Sequence, residues 1–140
     1  MTLTIVTPVE VAVRQDDVVL VRAEDPTGSF GIQRRHAPLV TALAISVVSW
    51  RGASGPERYC AVRGGVLSVE ADTVAVATRE AVVDTDLDRL EREVLARFHR
   101  ASDESARARV DEERLRAAAI RTIQRLLRPA RPTRGFGGNR

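Results

Sequence analysis

The sequence predicts a β-sandwich domain followed by a C-terminal pair of α-helices. Short runs rich in β-branched residues, separated by turn signals, fill the chain from Leu3 to Thr78, and no helical periodicity interrupts them. From Thr85 onward, apolar residues recur at a helical spacing among charged side chains. The predicted class is therefore β + α, an N-terminal antiparallel β-sandwich followed by a C-terminal two-helix antiparallel hairpin.

Eight segments of the first half have the alternation or the short apolar runs that are typical of strands. They are Leu3–Val6, Val9–Val13, Val18–Ala23, Ser29–Ile32, Thr41–Trp50, Arg58–Val62, Val66–Glu70 and Thr73–Thr78. Turn-forming residues lie between them, among them Asp25-Pro26-Thr27-Gly28 and the pair Gly64-Gly65. In the last strand Val74, Val76 and Thr78 alternate with other residues, so we expect one of its faces to be deeply buried.

The second half has helix start and stop signals. Thr85 is a predicted N-cap, and Asp88 three residues later forms a capping box with it. A break at Ala101-Ser102-Asp103 separates the first helix from a second one, which runs from about Glu104 to Leu127 and ends before Pro129. Two helices joined by a short break are expected to fold back on each other as a hairpin.

These patterns predict three regions: a β-sandwich domain at 1–83, a helical hairpin at 84–128 and a disordered basic tail at 129–140. The hairpin has few apolar residues for its length, so its position should depend on what it packs against. We therefore expect a helical appendage that is able to detach from the sandwich.

The charge distribution excludes several classes of partner. The net charge is +3, but residues 1–83 hold 8 arginines and 9 acids, and residues 84–127 hold 10 of each. The excess positive charge belongs to the tail, so the folded part does not predict a nucleic-acid-binding face. No apolar run approaches the ~20 residues needed to cross a bilayer, so we expect no direct membrane insertion. The absence of a signal-peptide pattern and the single Cys60 favour the cytoplasm.

The residue types that carry catalysis are sparse. Cys60 and the two histidines, His36 and His99, are far apart in the sequence and form no recognisable metal-binding or nucleophilic motif. The glycine pairs Gly28/Gly31 and Gly64/Gly65 lead into strands, whereas a phosphate-binding loop opens a helix. These observations predict a protein that is not an enzyme and has no metal and no cofactor.

Three motifs point to a family. They are LTIVTPVEVAV at 3–13, GSFGIQRRHAPL at 28–39 and AVRGGVLSVEADTVAVATREA at 61–81. With the order of sandwich and helices, they resemble the epsilon subunit of F-type ATP synthases over roughly Leu3 to Leu127. Arg35 stands where that family usually has a glycine. This difference and the proline- and arginine-rich tail are similar to features of the alternative bacterial ATPases carried beside a standard synthase.

The resemblance implies a non-catalytic central-stalk (rotor) subunit that couples c-ring rotation to gamma. It also implies a peripheral position on the cytoplasmic face of the bacterial cell membrane. The helices of this family can inhibit ATP hydrolysis by contacting the catalytic alpha/beta head transiently. By position, the c-ring interface would comprise Ser29, Phe30, Gln33, Arg34 and Arg35. The gamma interface would comprise His36, Ala37, Pro38 and Leu39, and the regulatory hairpin would act through Leu87, Leu90, Val94, Phe98, Leu115 and Ile123.

Some members of the family bind ATP through a Leu/Ile-Asp-x-x-Arg-Ala motif on the first helix. The corresponding segment here is Leu87-Asp88-Arg89-Leu90-Glu91-Arg92, with Glu91 where the arginine is expected. A carboxylate at that position repels phosphate, so we expect no bound nucleotide. Two interpretations from other classes stay open: a free-standing β-sandwich protein-binding adaptor, and a small hydrolase, which the sparse histidine and cysteine content disfavours.

Overall fold

The computed structural model describes residues 1–127, and the predicted tail at 129–140 lies outside the described residues. The strands are β1 (Thr2–Val6), β2 (Val11–Gln15), β3 (Val18–Asp25), β4 (Gly28–Gln33), β5 (Leu39–Gly52), β6 (Arg58–Glu70), β7 (Thr73–Ala77) and β8 (Ala81–Asp84). A short helix α1 (Leu87–Arg89), a π-helical turn (Leu90–Val94) and the long helix α2 (Leu95–Leu127) follow them.

The two long strands β5 and β6 take part in both layers of the sandwich. The C-terminal half of β6 pairs with β7, whereas its N-terminal half pairs with β8. The first layer therefore contains β2, β1, β7, the C-terminal half of β6 and the N-terminal half of β5. The second layer contains β8, the N-terminal half of β6, the C-terminal half of β5, then β3 and β4. Neighbouring strands are antiparallel except for β1 and β7, which run parallel.

The core lies between the two layers. Leu3 and Val74 of the first layer and Val21 and Ile32 of the second have no exposed surface, and they belong to one apolar cluster. The Trp50 indole N–H donates to Gln15 Oε1 at 2.9 Å, which joins β5 to the distant edge strand β2. The predicted buried face of β7 is confirmed, because Val74, Val76 and Thr78 are all at most 5% exposed.

Gly64 and Gly65 bend β6 without ending it. Their φ angles are +67° and +114°, a region that glycine adopts at little cost. The prediction of two strands separated by a turn at this pair was wrong, because β6 continues from Arg58 to Glu70. The bend is what allows one strand to pair in both layers.

The helical region differs from the predicted hairpin. The break expected at Ala101-Ser102-Asp103 is absent, and α2 is continuous from Leu95 to Leu127. None of the three residues is glycine or proline, and serine and aspartate each cost less than about 0.7 kcal/mol inside a helix. The sandwich followed by a C-terminal helical region is confirmed. The chain forms two compact units, Met1–Ala101 and a second unit that begins at Ser102.

Candidate protein-interaction surfaces

The outward side of the first layer carries a row of apolar side chains that crosses five strands. The strand register places Val11, Val6, Ala77, Val66 and Ala42 side by side. A second row consists of Thr4, Ala75, Ser68 and Val40, and it ends at Arg14 of the edge strand β2, which pairs with Thr4. We call the nine residues of these two rows, without Arg14, the uncharged face. Val66 is 47% exposed and Val40 is 74% exposed, and exposed apolar residues that adjoin one another mark candidate protein-binding surfaces.

A hollow opens beside this face, where the end of β1 meets the bend of β6. Its volume is about 380 Å³, and its wall is formed by Val6, Thr7, Pro8, Gly65, Ala77, Thr78 and Arg79. Val6, Pro8 and Ala77 bring aliphatic side chains, and Gly65 brings bare backbone. The hollow can therefore accept one apolar side chain from a partner, as in the packed centre of a protein interface.

The predicted gamma-contacting segment His36–Leu39 leads directly into the uncharged face. His36 is half-buried, and its Nδ1 lies 2.7 Å from the Ala37 carbonyl oxygen. Leu39 opens β5 opposite Val69 and packs against the core. The next residue, Val40, already belongs to the uncharged face, so the two surfaces are continuous.

The predicted c-ring residues lie along the edge strand β4 and the turn after it rather than in one loop. Ser29 and Gln33 are exposed, whereas Phe30 packs against the core. Arg34 and Arg35 occupy the turn, which is closed by a hydrogen bond from the His36 amide to the Gln33 carbonyl oxygen at 3.2 Å. The backbone of Arg35 has φ +63°, which is uncommon for a residue with a side chain.

The other end of β4 is fixed by Asp25. Its carboxylate accepts hydrogen bonds from the Thr27 amide at 2.8 Å and the Thr41 hydroxyl at 2.9 Å. The Thr27 hydroxyl bonds to the same group. The side-chain bonds to Thr27 and then to Thr41 lower the pKa of Asp25. The β3–β4 hairpin is thereby attached to β5, a connection that sequence spacing alone did not indicate.

Asp25→Asn is expected to reduce stability in a pH-dependent way. Because the folded state lowers the pKa of Asp25, its carboxylate stabilises the fold above the unfolded pKa of about 4. That contribution disappears as the pH falls through the lower folded pKa. The free energies of unfolding of the two proteins, measured in urea, should therefore differ at pH 7, and the difference should shrink as the pH falls below about 4. A difference independent of pH would contradict this role.

The six apolar residues predicted for the regulatory hairpin, here called the helical stripe, divide into a buried part and an exposed part. Leu90, Val94 and Phe98 are at most 8% exposed and pack against the second layer of the sandwich, on Ile45, Val47, Tyr59, Ala61 and Val82. Leu87 is half-buried. In contrast, Leu115 and Ile123 are 73% and 53% exposed. The first helical turns are therefore part of the unit that contains the sandwich.

Polar contacts reinforce this helix start. Arg97 forms an ion pair with Glu80 at 3.1 Å, and its guanidinium lies 5.5 Å from the centre of the Phe98 ring. Arg89 pairs with Asp84 at 3.3 Å. The Asp86 side chain accepts a hydrogen bond from the Arg89 amide, which makes Asp86 the N-cap instead of the predicted Thr85. Exposed pairs of this kind contribute less than about 1 kcal/mol each, so the buried apolar residues provide most of the attachment.

The residues at the position of the family's ATP motif do not fit a nucleotide. Arg89 already pairs with Asp84 and with Glu93 at 3.5 Å, and Glu91 is exposed where a cation would be needed. The acids Asp84, Asp86, Asp88, Glu91 and Glu93 outnumber the two arginines of this region, Arg89 and Arg92. A triphosphate would therefore meet more carboxylates than guanidinium donors.

Cys60 is unsuited to nucleophilic chemistry. Burial raises the pKa of its thiol to about 12, so the reactive thiolate is negligible at neutral pH. Within residues 1–127 no three potential metal ligands come together. Among the helices of that same stretch, none combines the length and apolarity that crossing a membrane requires.

Comparison with known proteins agrees with the β-sandwich. Residues 1–84 match the family model of the β-sandwich domain of the ATP synthase delta/epsilon chain. The chain is 42% identical over 130 residues to "ATP synthase epsilon chain 2" of Paraburkholderia xenovorans, covering 92% of this chain and 94% of that relative. The protein of the same name from Cereibacter sphaeroides is 38% identical, with coverages of 91% and 88%. The chain belongs to the ATP synthase epsilon chain family.

A solved structure supports the fold. A chain of the Euglena gracilis mitochondrial ATP synthase, from a cryo-EM structure that contains OSCP, F1 and the c-ring, superposes with a TM-score of 0.56. Its sequence identity is 24%, and the match covers 64% of this chain and 58% of that chain.

Proposed function

We propose that this chain is a non-catalytic rotor subunit of a bacterial F-type ATP synthase, which couples c-ring rotation to gamma. It would lie at the cytoplasmic face of the cell membrane as a peripheral component. Family membership supports the assignment of this chain to an ATP synthase complex. The uncharged face is the observation that supports the coupling role. A subunit that transmits torque needs a stiff body with a broad contact surface, and a sandwich with one uncovered apolar side provides both.

The uncharged face is the surface that we assign to gamma. It continues from His36–Leu39, the segment that the family resemblance assigns to the same partner. The centre of the face presents the valines Val66 and Val40 and the hollow beside Gly65. The charged neighbours lie at its margin, with Arg14 at the end of the second row and Arg79 at the wall of the hollow. Depletion of charge at the centre of a patch is the compositional signature of protein interfaces.

Val66→Glu is expected to weaken gamma binding at least about tenfold, because it places a carboxylate in the middle of the apolar row. The matched control is Val83→Glu, since Val83 is 49% exposed against 47% for Val66 but lies on β8 in the second layer. Binding to purified gamma can be measured by titration calorimetry, and thermal melts verify that both variants fold. Equal affinities for the two variants would contradict the assignment.

We also propose that α2 limits ATP hydrolysis through transient contacts with the catalytic alpha/beta head. Its residues 102–127 are almost entirely exposed, and exposed apolar side chains such as Leu115 and Ile123 leave a surface available for another partner. A helix that can occupy two positions of similar free energy is suited to regulation.

Ending the chain after Ala101 is expected to leave assembly intact and to raise ATPase activity of the complex severalfold. This end point preserves Leu90, Val94 and Phe98, which cover the second layer, so the sandwich stays folded. The readout is ATP hydrolysis by the purified complex with the full-length or the shortened chain. Unchanged hydrolysis with normal assembly would exclude an inhibitory helix.

The two relatives described above are both named as a second epsilon chain. Together with Arg35 at a position where the family usually has glycine, this supports placing the chain in an alternative ATPase that its organism carries beside a standard synthase.

A further inference from the structure

We propose that two arginines compete for the carboxylate of Glu80, which pairs with Arg97 when the first helical turns lie on the sandwich and with Arg63 when these turns leave it. This exchange of ion-pair partners reduces the free energy needed to detach the beginning of the helix. The inference deepens the proposed regulation by α2, on which its role in the synthase rests, because it names the residues that balance the two positions.

The strand register places Arg63 and Glu80 side by side on the side of the second layer that carries the helix. Ala61 of β6 pairs with Val82 of β8, and both belong to the apolar cluster that contains Phe98. Side chains two residues further along each strand lie on the same side, and these are Arg63 and Glu80. The Arg63 amide donates a hydrogen bond to the Glu80 carbonyl oxygen at 3.0 Å, so the pairing extends to these two residues. Opposed residues of this kind have Cβ atoms about 4.5–5.5 Å apart.

Glu80 nevertheless pairs with the helix and leaves Arg63 without a partner. Arg97 Nη2 lies 3.1 Å from Glu80 Oε1. Among residues 1–127 no ion pair involves Arg63, and its Nε is buried without a hydrogen-bond acceptor. A buried donor without an acceptor destabilises the conformation that buries it. The docked helix therefore carries a cost that disappears when a carboxylate or water reaches this nitrogen.

The exchange of partners needs only side-chain rotation. The side chains of Arg97 and Glu80 are 54% and 42% exposed, so their ion pair holds the helix only weakly. Glu80 stays beside Arg63 in the sheet after the helix has left, and the opposing residue on β5 is the apolar Ile45, which offers no competing carboxylate. The ion pair that is lost on detachment is therefore replaced by a second one.

Arg63→Met tests the contribution of Arg63, because methionine keeps an unbranched apolar side chain but removes the charge and the N–H donors. In the full-length chain we expect hydrogen exchange of the amides of residues 90–101 to slow about fivefold, since the detached conformation becomes less populated. Arg97→Met should speed the same exchange. The matched control is Arg58→Met, which replaces an exposed arginine on the same strand and should leave these amides unchanged. Mass spectrometry of peptides from the exchanged protein gives the readout.

Glu80→Gln separates partner exchange from the simple burial of Arg63. Neither ion pair can form in this background, so Arg63→Met should slow the exchange by less than about half as much as it does when Glu80 is present. An equal effect of Arg63→Met in both backgrounds would overturn the inference. Faster exchange in Arg63→Met would also overturn it, because Arg63 would then stabilise the docked helix.

These measurements use the isolated chain, so their result does not depend on the synthase. Hydrolysis by the complex with the chain that ends after Ala101 tests the proposed function separately. If the coupling between Arg63 and Glu80 is found but hydrolysis is unchanged, the inhibitory helix is refuted and the partner exchange is supported. If hydrolysis rises but the coupling is absent, the partner exchange alone is refuted.

Discussion

Gly65→Ala is expected to abolish folding of the sandwich or to lower its free energy of unfolding by more than about 4 kcal/mol. An added Cβ would lie 2.0 Å from the Ala77 carbonyl oxygen, and this atom belongs to a backbone held by pairing with both β1 and β6. No side-chain rearrangement can relieve such an overlap. The backbone at φ +114° is also one that alanine rarely adopts.

Gly55→Ala is the control that measures the cost of a positive φ angle alone, without a steric overlap. Gly55 also has positive φ, at +101°, but nothing lies within 4 Å of its added Cβ. We expect it to cost only about 1–3 kcal/mol, so the difference between the variants reports the close approach of β7. Urea unfolding followed by circular dichroism measures both. Similar costs for the two would show that the bend of β6 tolerates a side chain.

Phe98→Ala is expected to destabilise the unit Met1–Ala101 by about 3–5 kcal/mol, the range for an aromatic side chain removed from a core. Phe98 has no exposed surface and packs with Leu90 and Val94 against the second layer. The loss would leave the outer side of that layer partly uncovered. The measurement is chemical unfolding of the full-length chain, monitored by the fluorescence of Trp50.

Leu115→Ala provides the comparison on the same helix. Leu115 is 73% exposed, so its truncation should change the free energy of unfolding by less than about 0.5 kcal/mol. If the two substitutions had equal effects, the division of the helical stripe into a buried and an exposed part would be contradicted.

The sequence predicts the strands well where apolar alternation is strong, as in Val74 and Val76 on β7. It does not reveal β8, because Ala81–Asp84 has only four residues and lies next to charged ones. Gly64-Gly65 suggests a turn, since local chemistry cannot distinguish a turn from a bend in a strand that tertiary pairing continues. The predicted break at Ala101-Ser102-Asp103 depended on serine and aspartate, which are only weak helix breakers. The structure has one continuous helix there.

The interaction surfaces depend on register, which the sequence does not specify. Val66 and Val6 are separated by most of the domain in sequence, and only the pairing of β1, β7 and β6 brings them into one row. The resemblance indicates a contact role for segment 28–39, but the backbone angle of Arg35 becomes visible only in the structure. The link from Asp25 to Thr41 likewise joins strands whose proximity no motif indicates.

The most direct measurement is the composition of the complex that a tagged full-length chain carries out of detergent-solubilised membranes. We expect gamma and the c-ring to co-purify with it in fixed stoichiometry, and gamma to be lost when Val66 is replaced by glutamate. Recovery of the chain alone, or with partners unrelated to an ATP synthase, would contradict a rotor subunit that binds gamma through its uncharged face.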